Sequence, residues 1–284
     1  MRPGPLTVIG LEGSRAAAYA TACMRVHLGR IAVFPIKALD GVVVNAAGLT
    51  PGGILEHDRV YAITDARGNY VNGKGNVRVH PLRCRFDAAF GEVSLSVQGG
   101  GSEAQFVLAE PEPLNRWLSD YFEFPVTLRR EAERGFPDDR DAPGPTVISR
   151  ATLQEVASWY PGLTLESVRG RFRANLELDG EDAAPFWEDR LFGAAGELVP
   201  FQIGTVQCFA HNPCQRCVVP TRDPETGEAT AGFQKEFMAR RSATLPAWAN
   251  RSRFNHFYRL AINTSIPRSE AGKRLAAGDA VTPM

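Results

Sequence analysis

Short apolar segments separated by turn residues fill the first half of the chain, and this pattern constrains the fold more than any other feature. In VSLSV, Val93, Leu95 and Val97 alternate with serines, which is the period of a strand with one solvated face. Gly91 suits a hairpin with the preceding segment CRFDAAF. Because IAVFPI and VYAITD extend the pattern toward the N-terminus, we predict antiparallel sheet in a β-rich first half.

Helical periods interrupt these strands at two places. Apolar residues fall at i, i+3, i+4 and i+7 after Pro111, which predicts a short amphipathic helix at the end of the first half. Ser149 is a suitable N-cap for a second helix that ends before Pro161. The segments RFRANLELD, LVPFQIGTVQCFA and FYRLAIN are typical of further strands. The predicted fold class is therefore α+β and β-rich.

Residues 131–145 combine proline, glycine and charge without an apolar period, which indicates a linker or exposed loop. We place the domain boundary there, between a first domain at 30–130 and a second at 146–284. Residues 1–29 carry several Arg and a single acid, but no clear apolar core or cleavage site of a targeting peptide. We predict that they form an N-terminal extension.

Basic and acidic residues balance at 32 each, so the chain has no net charge. Such a chain exerts no long-range attraction on nucleic acid or an anionic membrane, and no run of 18 apolar residues is present to span one. Five cysteines, three of them within 208–217, do not form a regular disulfide framework. We expect a cytoplasmic protein without nucleic-acid or membrane partners, in which any anion site is local.

The densest group of reactive side chains is Cys208, His211, Cys214 and Cys217. A zinc site is disfavoured because four ligands this close together leave little chain to wrap a tetrahedron. A redox dithiol of Cys214 and Cys217 lacks the thioredoxin-like βαβ setting. Cys208, inside an alternating strand, is expected to be buried. Cys217 follows Arg216 on a loop rich in Pro, Asp and Gly, where an accessible thiolate is a candidate metal ligand or nucleophile.

Several basic residues are candidate anion contacts. Arg171 and Arg173 alternate with Phe172 in a predicted strand, so both guanidinium groups would point to one face and could clamp a phosphate. Two solvated charges on a sheet surface explain the same pattern. Lys37 and Arg59, taken alone, are typical surface charges. The sequence contains no glycine-rich nucleotide-binding motif and no metal-ligand spacing among its five histidines.

Several stretches, in order and spacing, resemble one family over about residues 30–265. In this family an N-terminal MOSC β-barrel domain precedes a MOSC domain (molybdenum cofactor sulfurase C-terminal), and its members include the mitochondrial amidoxime-reducing components and bacterial relatives. The resemblance implies a β-barrel-like domain followed by a MOSC β-barrel domain with a few helices. The matching stretches are FPIKAL, HDRVYAITDARGNYVNGK, VISRATL, RFRANLELDG, the Trp187 region with FGAAGELVPFQIG, and CQRCVVPTRDPETGE.

The resemblance implies a pterin-based molybdenum cofactor whose metal is held by one cysteine thiolate besides the pterin dithiolene. Cys217 matches that ligand in the motif R-C-x-x-x-T-x-D-P-x-T-G, and Asp223 matches an acid of the same loop that we expect to supply protons. Where the mitochondrial proteins read T-A-R-Q, this chain has Asn72-Gly73-Lys74-Gly75, in which Lys74 could serve a phosphate. The other implied cofactor contacts are Lys37, Arg59, Arg173 and Asn175, with Arg171, Ser149 and Arg216 as weaker candidates.

The implied activity is two-electron reduction of N-oxygenated small molecules such as amidoximes, hydroxylamines or N-hydroxylated bases. We expect a separate electron donor, such as a ferredoxin, flavoprotein or small haem protein, because no cysteine after Cys217 could ligate a cluster. Two alternatives stay open: a sulfur carrier or sulfurtransferase that uses a Cys217 persulfide, and a non-catalytic carrier of the cofactor. The sequence assigns no role to Cys214.

Overall fold

The computed structural model describes residues 26–284, so most of the predicted N-terminal extension lies outside the described residues. Strand β1 begins at His27, and the last residues of the predicted extension therefore belong to the fold. The strands are β1 His27–Val33, β2 Val42–Val44, β3 Ala46–Gly48, β4 Tyr61–Asp65, β5 Leu82–Phe86, β6 Glu92–Val97, β7 Glu103–Val107, β8 Val126–Arg130, β9 Val147–Ser149, β10 Leu176–Asp179, β11 Val199–Ile203, β12 Val206–Gln215, β13 Arg259–Ser265, β14 Arg274–Ala276 and β15 Val281–Pro283.

Short α-helices lie between the strands, and the predicted α+β, β-rich class is confirmed. They are α1 Pro111–Phe122, α2 Arg150–Ser158, α3 Leu165–Phe172 and α4 Phe233–Ala243. Both helices expected from the sequence are present: α1 buries Leu114 and Leu118, and the Ser149 hydroxyl caps α2 by accepting the Thr152 N–H at 3.1 Å. The longest described helix has 12 residues, and none of those described has the length and apolar character of a membrane span.

One eight-stranded sheet joins the two halves of the chain, in the order β15-β11-β12-β13-β9-β10-β1-β2. Neighbouring strands are antiparallel except β9 and β10, which run parallel. Strand β1 comes from the first half and pairs with β10 of the second half, with Ile31 opposite Leu176. Since the halves share a sheet, a boundary at 131–145 does not separate two independent sheets, and the domain limits remain a prediction.

Smaller sheets complete the first half. Strands β5, β6 and β7 form an antiparallel sheet, and the β5–β6 hairpin expected from the sequence is present, with Cys84 opposite Leu95. Strand β8 follows α1 and pairs with β4, with Ile63 opposite Leu128. These elements share one apolar core with the buried face of α1. This core supports the loops that reach toward the second half.

The prediction of a strand over RFRANLELD is wrong for its first residues, 171–173. Arg171 lies in the last turn of α3, and Arg173 is the C-cap of that helix, with a left-handed φ of 51°. The two guanidinium groups therefore do not alternate across a strand. The interpretation overlooked the helix start, where the Thr164 side chain accepts the Ser167 N–H at 3.1 Å. The strand of this segment is β10.

An aromatic core fixes α3 against its neighbours. Phe172 at the end of α3 packs beside Phe233 and Phe237 of α4, with ring centroids 6.4 and 5.7 Å away. Tyr160, just after α2, stacks on Phe233 at 4.4 Å. Because these rings are buried together, the C-terminal end of α3 has a fixed position next to the loop that follows β12.

Two adjacent acids are buried in the second half. Asp189 pairs with the Arg241 guanidinium, whereas Glu188, 1% exposed, accepts the Thr152 hydroxyl at 2.9 Å and has no partner at Oε1. Burial, together with the neighbouring Asp189 charge, raises the pKa of Glu188 to about 7. Glu188 is thus a buried carboxyl that resists ionisation.

Replacing Glu188 with Gln should raise the free energy of unfolding at alkaline pH. The folded protein holds this proton more tightly than the unfolded chain, so wild-type stability falls as the pH rises from about 4.5 to about 7. The amide escapes that loss, and we expect a gain on the order of 1 to 3 kcal/mol above neutral pH. Denaturant unfolding across this pH range measures it, with exposed Glu110→Gln as the control. A Gln variant with the wild-type pH profile would contradict the assignment.

Candidate functional site

A cavity of about 1270 Å³ opens where loops of the first half meet α3 and the loop after β12. Its lining comes from both halves of the chain and is rich in cationic side chains. Most of the sequence-predicted site residues meet there, although they are far apart in the sequence. Those that line the cavity are Lys37, Arg59, Lys74, Arg171, Arg173, Arg216, Cys217 and Asp223.

Lys37 lies at the base of one cavity wall and is only 8% exposed. Its ammonium donates to the Phe136 carbonyl at 2.8 Å and to Asp138 Oδ1 at 2.7 Å, and it lies 5.3 Å from the Tyr70 ring centroid. Burial lowers the pKa of Lys37, and Asp138 opposes that effect. Lys74 is an exposed cation on the rim of the same cavity.

Arg59 is held by a buried hydrogen-bond network centred on Asn175. Its guanidinium donates to Asn175 Oδ1 at 3.1 Å, and Nε lies 3.6 Å from Asp58 Oδ2. The Asn175 amide donates to Asp58 Oδ1 at 2.9 Å and to the Ala32 carbonyl at 3.0 Å, and Oδ1 also accepts the Thr146 N–H. Asn175 is 0% exposed, its amide is fully bonded, and it is not part of the cavity lining. Its observed role is to position Arg59, and its contact with the cofactor stays a prediction.

Arg173 crosses from the second half to the first. Its left-handed backbone turns the side chain out of α3, and the guanidinium lies 4.3 Å from the Phe34 ring centroid and donates to the Leu39 carbonyl. Loss of hydration lowers the pKa of Arg173, and nearby Asp40 opposes the shift. The contacts with the Phe34 ring and the Leu39 carbonyl hold the guanidinium in a fixed position in the cavity lining.

Arg171 anchors the loop that follows Cys217. It donates to the Pro220 carbonyl at 3.0 Å, the Arg222 carbonyl at 2.7 Å and the Thr230 hydroxyl at 3.1 Å. Because these bonds occupy both terminal nitrogens, most of the donor capacity of Arg171 goes to the protein. Its main contribution to the cavity is the position of this loop.

Cys217 is a free, half-buried thiol in the cavity lining. It comes two residues after the end of β12, and Arg216 beside it donates to the Cys214 sulfur at 3.2 Å and to the Phe172 carbonyl at 2.6 Å. Cys214 is also free, half-buried and in the lining. The site therefore presents two free thiols, and the guanidinium of Arg216 contacts the sulfur of one of them, Cys214.

The other members of the cysteine-rich segment do not join them. Cys208 is 1% exposed and burial raises its thiol pKa to about 12, as expected for a buried thiol. His211 is bonded to the Ser265 hydroxyl at 2.7 Å. Across residues 26–284 no group of three or more His, Cys, Asp or Glu side chains is placed to hold a metal ion. Cys217 could therefore contribute one thiolate to a metal centre whose other ligands come from elsewhere.

Asp223 stabilises a turn. Its Oδ1 accepts the backbone N–H groups of Glu225 at 2.9 Å and Thr226 at 3.0 Å, and its Oδ2 lies 3.9 Å from the Arg171 guanidinium. Partial burial raises the pKa of Asp223, but the backbone donors and Arg171 outweigh it and hold the pKa below its usual range. The carboxylate is thus ionised at neutral pH, so the acid expected to supply protons would first have to accept one.

Ser149 has a different place from the one predicted. It is fully buried, its hydroxyl caps α2 and lies 2.7 Å from the Thr152 hydroxyl, and it is not part of the cavity lining. The structure gives it a helix-capping role, and its cofactor contact stays a prediction. A serine just before a helical period is typical of a helix N-cap, and the predicted cap at Ser149 is confirmed.

The sequence reasoning missed other residues of the cavity. Asp138 was assigned to an exposed linker, and its pairing with Lys37 depends on a contact that no local pattern encodes. Five cavity arginines each keep a buried Nε without a hydrogen-bond partner. The cationic side chains and the free Cys217 thiol that line the cavity suit an anionic ligand with a thiolate-seeking metal, so the residues present fit a phosphorylated metal cofactor. The Nε atoms of the five arginines are buried in the cavity wall. These arginines are Arg83, Arg171, Arg216, Arg222 and Arg259.

Comparison with known protein families gives two matches. Residues 25–116 match the MOSC N-terminal beta barrel domain, and residues 145–282 match the MOSC domain. The region between the matches includes residues 131–144 of the predicted linker. Comparison with curated proteins finds no match.

We predict a sharp difference in thiol reactivity within one chain. Iodoacetamide should alkylate Cys214 and Cys217 in the folded protein, because both are accessible from the cavity. Cys84 and Cys208 should react only after unfolding, since both are buried and burial raises each pKa to about 12. Peptide mass spectrometry of samples labelled before and after denaturation measures this. Equal labelling of Cys208 and Cys217 in the folded state would contradict the site described above.

Proposed function

Because the chain belongs to the MOSC-domain proteins that carry an N-terminal MOSC β-barrel domain, we propose that it binds molybdenum cofactor and reduces N-oxygenated small molecules. MOSC domains are associated with proteins that bind this cofactor. The observation that best supports the proposal is the convergence of the free Cys217 thiol and several fixed cations on one cavity. The chain gathers these charges from distant segments, and an anionic ligand would lower the free energy of holding them together.

The cavity offers separate contacts for the two ends of the cofactor. The pterin phosphate would meet the cations of one wall, where each charge-assisted hydrogen bond contributes about 1.5 to 3 kcal/mol. Cys217 would supply the protein ligand to the metal. Planar guanidinium groups suit a phosphate because they donate two parallel hydrogen bonds. The residues we assign to the phosphate are Lys37, Arg59, Lys74 and Arg173.

The bound cofactor supplies the two-electron redox chemistry, and the chain provides orientation and protons. Arg216 and Arg171 fix the loop on both sides of Cys217 through their bonds to main-chain carbonyls. At Asp223 the Oδ1 atom is committed to the turn, whereas Oδ2 is free of backbone donors and can carry a proton. Because its pKa is lowered, Asp223 is a carboxylate at neutral pH, so we propose that Oδ2 accepts a proton before it passes one on.

Reduction of a substrate requires electrons from outside the chain. We propose a separate donor protein, because the sequence contains no nucleotide-binding glycine motif. A reducing compartment such as the cytoplasm would keep Cys217 in the thiol form that ligation requires. The substrate must be small enough to share the cavity with the cofactor.

A second candidate function rests on the two thiols. Cys214 and Cys217 are both free and open on the same cavity, as a sulfur carrier that holds a persulfide on Cys217 would need. A sulfur carrier would react through Cys217 as a nucleophile, whereas a reductase uses it as a metal ligand. The two functions therefore differ in whether turnover requires bound molybdenum.

Protein purified from a host that makes the cofactor should contain molybdenum and release a fluorescent oxidised pterin on denaturation. It should reduce a generic N-hydroxylated compound with a reduced viologen, but not with NADH alone. Cys217→Ala should abolish turnover without unfolding the chain, since a half-buried loop thiol contributes little buried apolar area. The matched control is Cys208→Ala, which removes a thiol outside the cavity and should keep turnover.

Three results would contradict this account. They are full turnover in cofactor-loaded Cys217→Ala, steady turnover with NADH as the only reductant, and wild-type protein without molybdenum or pterin. Cofactor-loaded protein that reduces no N-hydroxylated compound would favour the sulfur carrier.

A further inference from the structure

The segment predicted as an exposed linker forms part of the cavity wall. Asp138, Asp139 and Arg140 all line the cavity. On one side of Asp138 the Phe136 N–H donates to the Arg59 carbonyl at 2.8 Å, and on the other Gly144 N–H donates to the Thr264 carbonyl at 2.9 Å. The backbone of this segment is therefore anchored on both sides of Asp138.

Asp138 forms an asymmetric ion pair with Lys37. The oxygen–nitrogen distance is 2.7 Å, but the Lys37 side chain is 9% exposed whereas the Asp138 side chain is 68% exposed. Lys37 is also tied to the Phe136 carbonyl. If this pair opens, the exposed carboxylate is the partner that can rotate into solvent, and the buried ammonium stays in place.

Other cations of the cavity act on the same carboxylate. Partial loss of hydration raises the pKa of Asp138, but Lys37, Arg59 and Lys74 outweigh it and hold the pKa well below its usual range. Asp138 therefore carries its charge throughout the physiological pH range. A permanent anion of the chain stands among three of the four cations that we assign to an external one.

We propose that Asp138 is an internal counter-ion of the phosphate site, and that an entering anion must displace its carboxylate from Lys37. The identity of the natural anion as the cofactor phosphate rests on the proposed function, whereas the displacement itself does not. A tethered carboxylate competes at a high effective concentration, so a weak monovalent anion is excluded. A phosphate monoester, with more charge and more acceptor oxygens, can replace it. Asp138 thus sets both the affinity and the selectivity of the site.

The test measures binding of inorganic phosphate to the full-length, cofactor-free protein by calorimetry. Asp138→Asn keeps the size of the side chain and removes its charge, and should tighten phosphate binding about tenfold. Asp139→Asn is the matched control: it removes the same charge from the next residue of the cavity wall, which is bonded to Asn263 and not to Lys37. We expect it to change the affinity less than about twofold.

A second background tests whether Asp138→Asn changes phosphate binding through Lys37. In a Lys37→Gln background, Asp138→Asn should tighten binding much less than it does in the wild type, because the ammonium that the carboxylate occupies is gone. Thermal unfolding verifies that each variant is folded, and Asp138→Ser repeats the measurement with a different side chain. Equal gains from Asp138→Asn and Asp139→Asn, unchanged or weaker binding in Asp138→Asn, or no phosphate binding in any variant would each overturn the proposal. Pterin content of the loaded wild type tests the proposed function separately.

Discussion

Crowding of positive charge into one cavity is the constraint on which the rest of this structure depends. Like charges repel each other, and a cation that loses water is destabilised unless polar or aromatic groups replace the lost hydration. The chain meets this requirement residue by residue. Arg171 is satisfied by carbonyl groups, Arg173 by an aromatic face, and Lys37 by a carboxylate. The same contacts also fix the direction of each side chain. The interactions that stabilise these cations are therefore also the ones that position them.

Two of the cavity arginines have partners in the opposite half of the chain. Arg59 of the first half is held by Asn175 of the second, and Arg173 of the second half reaches Phe34 and Leu39 of the first. The shared sheet, in which β1 pairs with β10, fixes the distance over which these side chains reach. The cavity is therefore a product of the whole chain, and neither half contains it alone.

The sequence predicted features that depend on local patterns. The α1 period, the β5–β6 hairpin and the Ser149 cap each involve residues that are close in the chain, and all three are confirmed. The resemblance located Cys217 and most of the cationic residues, and the structure brings these together. Their functional roles remain predictions.

Features that depend on distant contacts were missed. A local signal was overlooked as well: Arg173 was placed in a strand from its alternation with Arg171, without the Thr164 cap that starts α3 and the left-handed residue that ends it. Asn175 was expected in the cavity, but only the packed structure shows that its amide is fully used by Arg59, Asp58 and other buried groups. Asp138 likewise gained its role from Lys37, which lies far away in the sequence.

The central claim is that Cys217 is the protein ligand to molybdenum in this cavity, and the most direct test is X-ray absorption at the molybdenum edge. Cofactor-loaded wild type and Cys217→Ser are compared, with Cys214→Ser as the control for the second thiol of the cavity. The account predicts one sulfur neighbour fewer around molybdenum in Cys217→Ser and an unchanged sulfur count in Cys214→Ser. An identical sulfur shell in wild type and Cys217→Ser would contradict it.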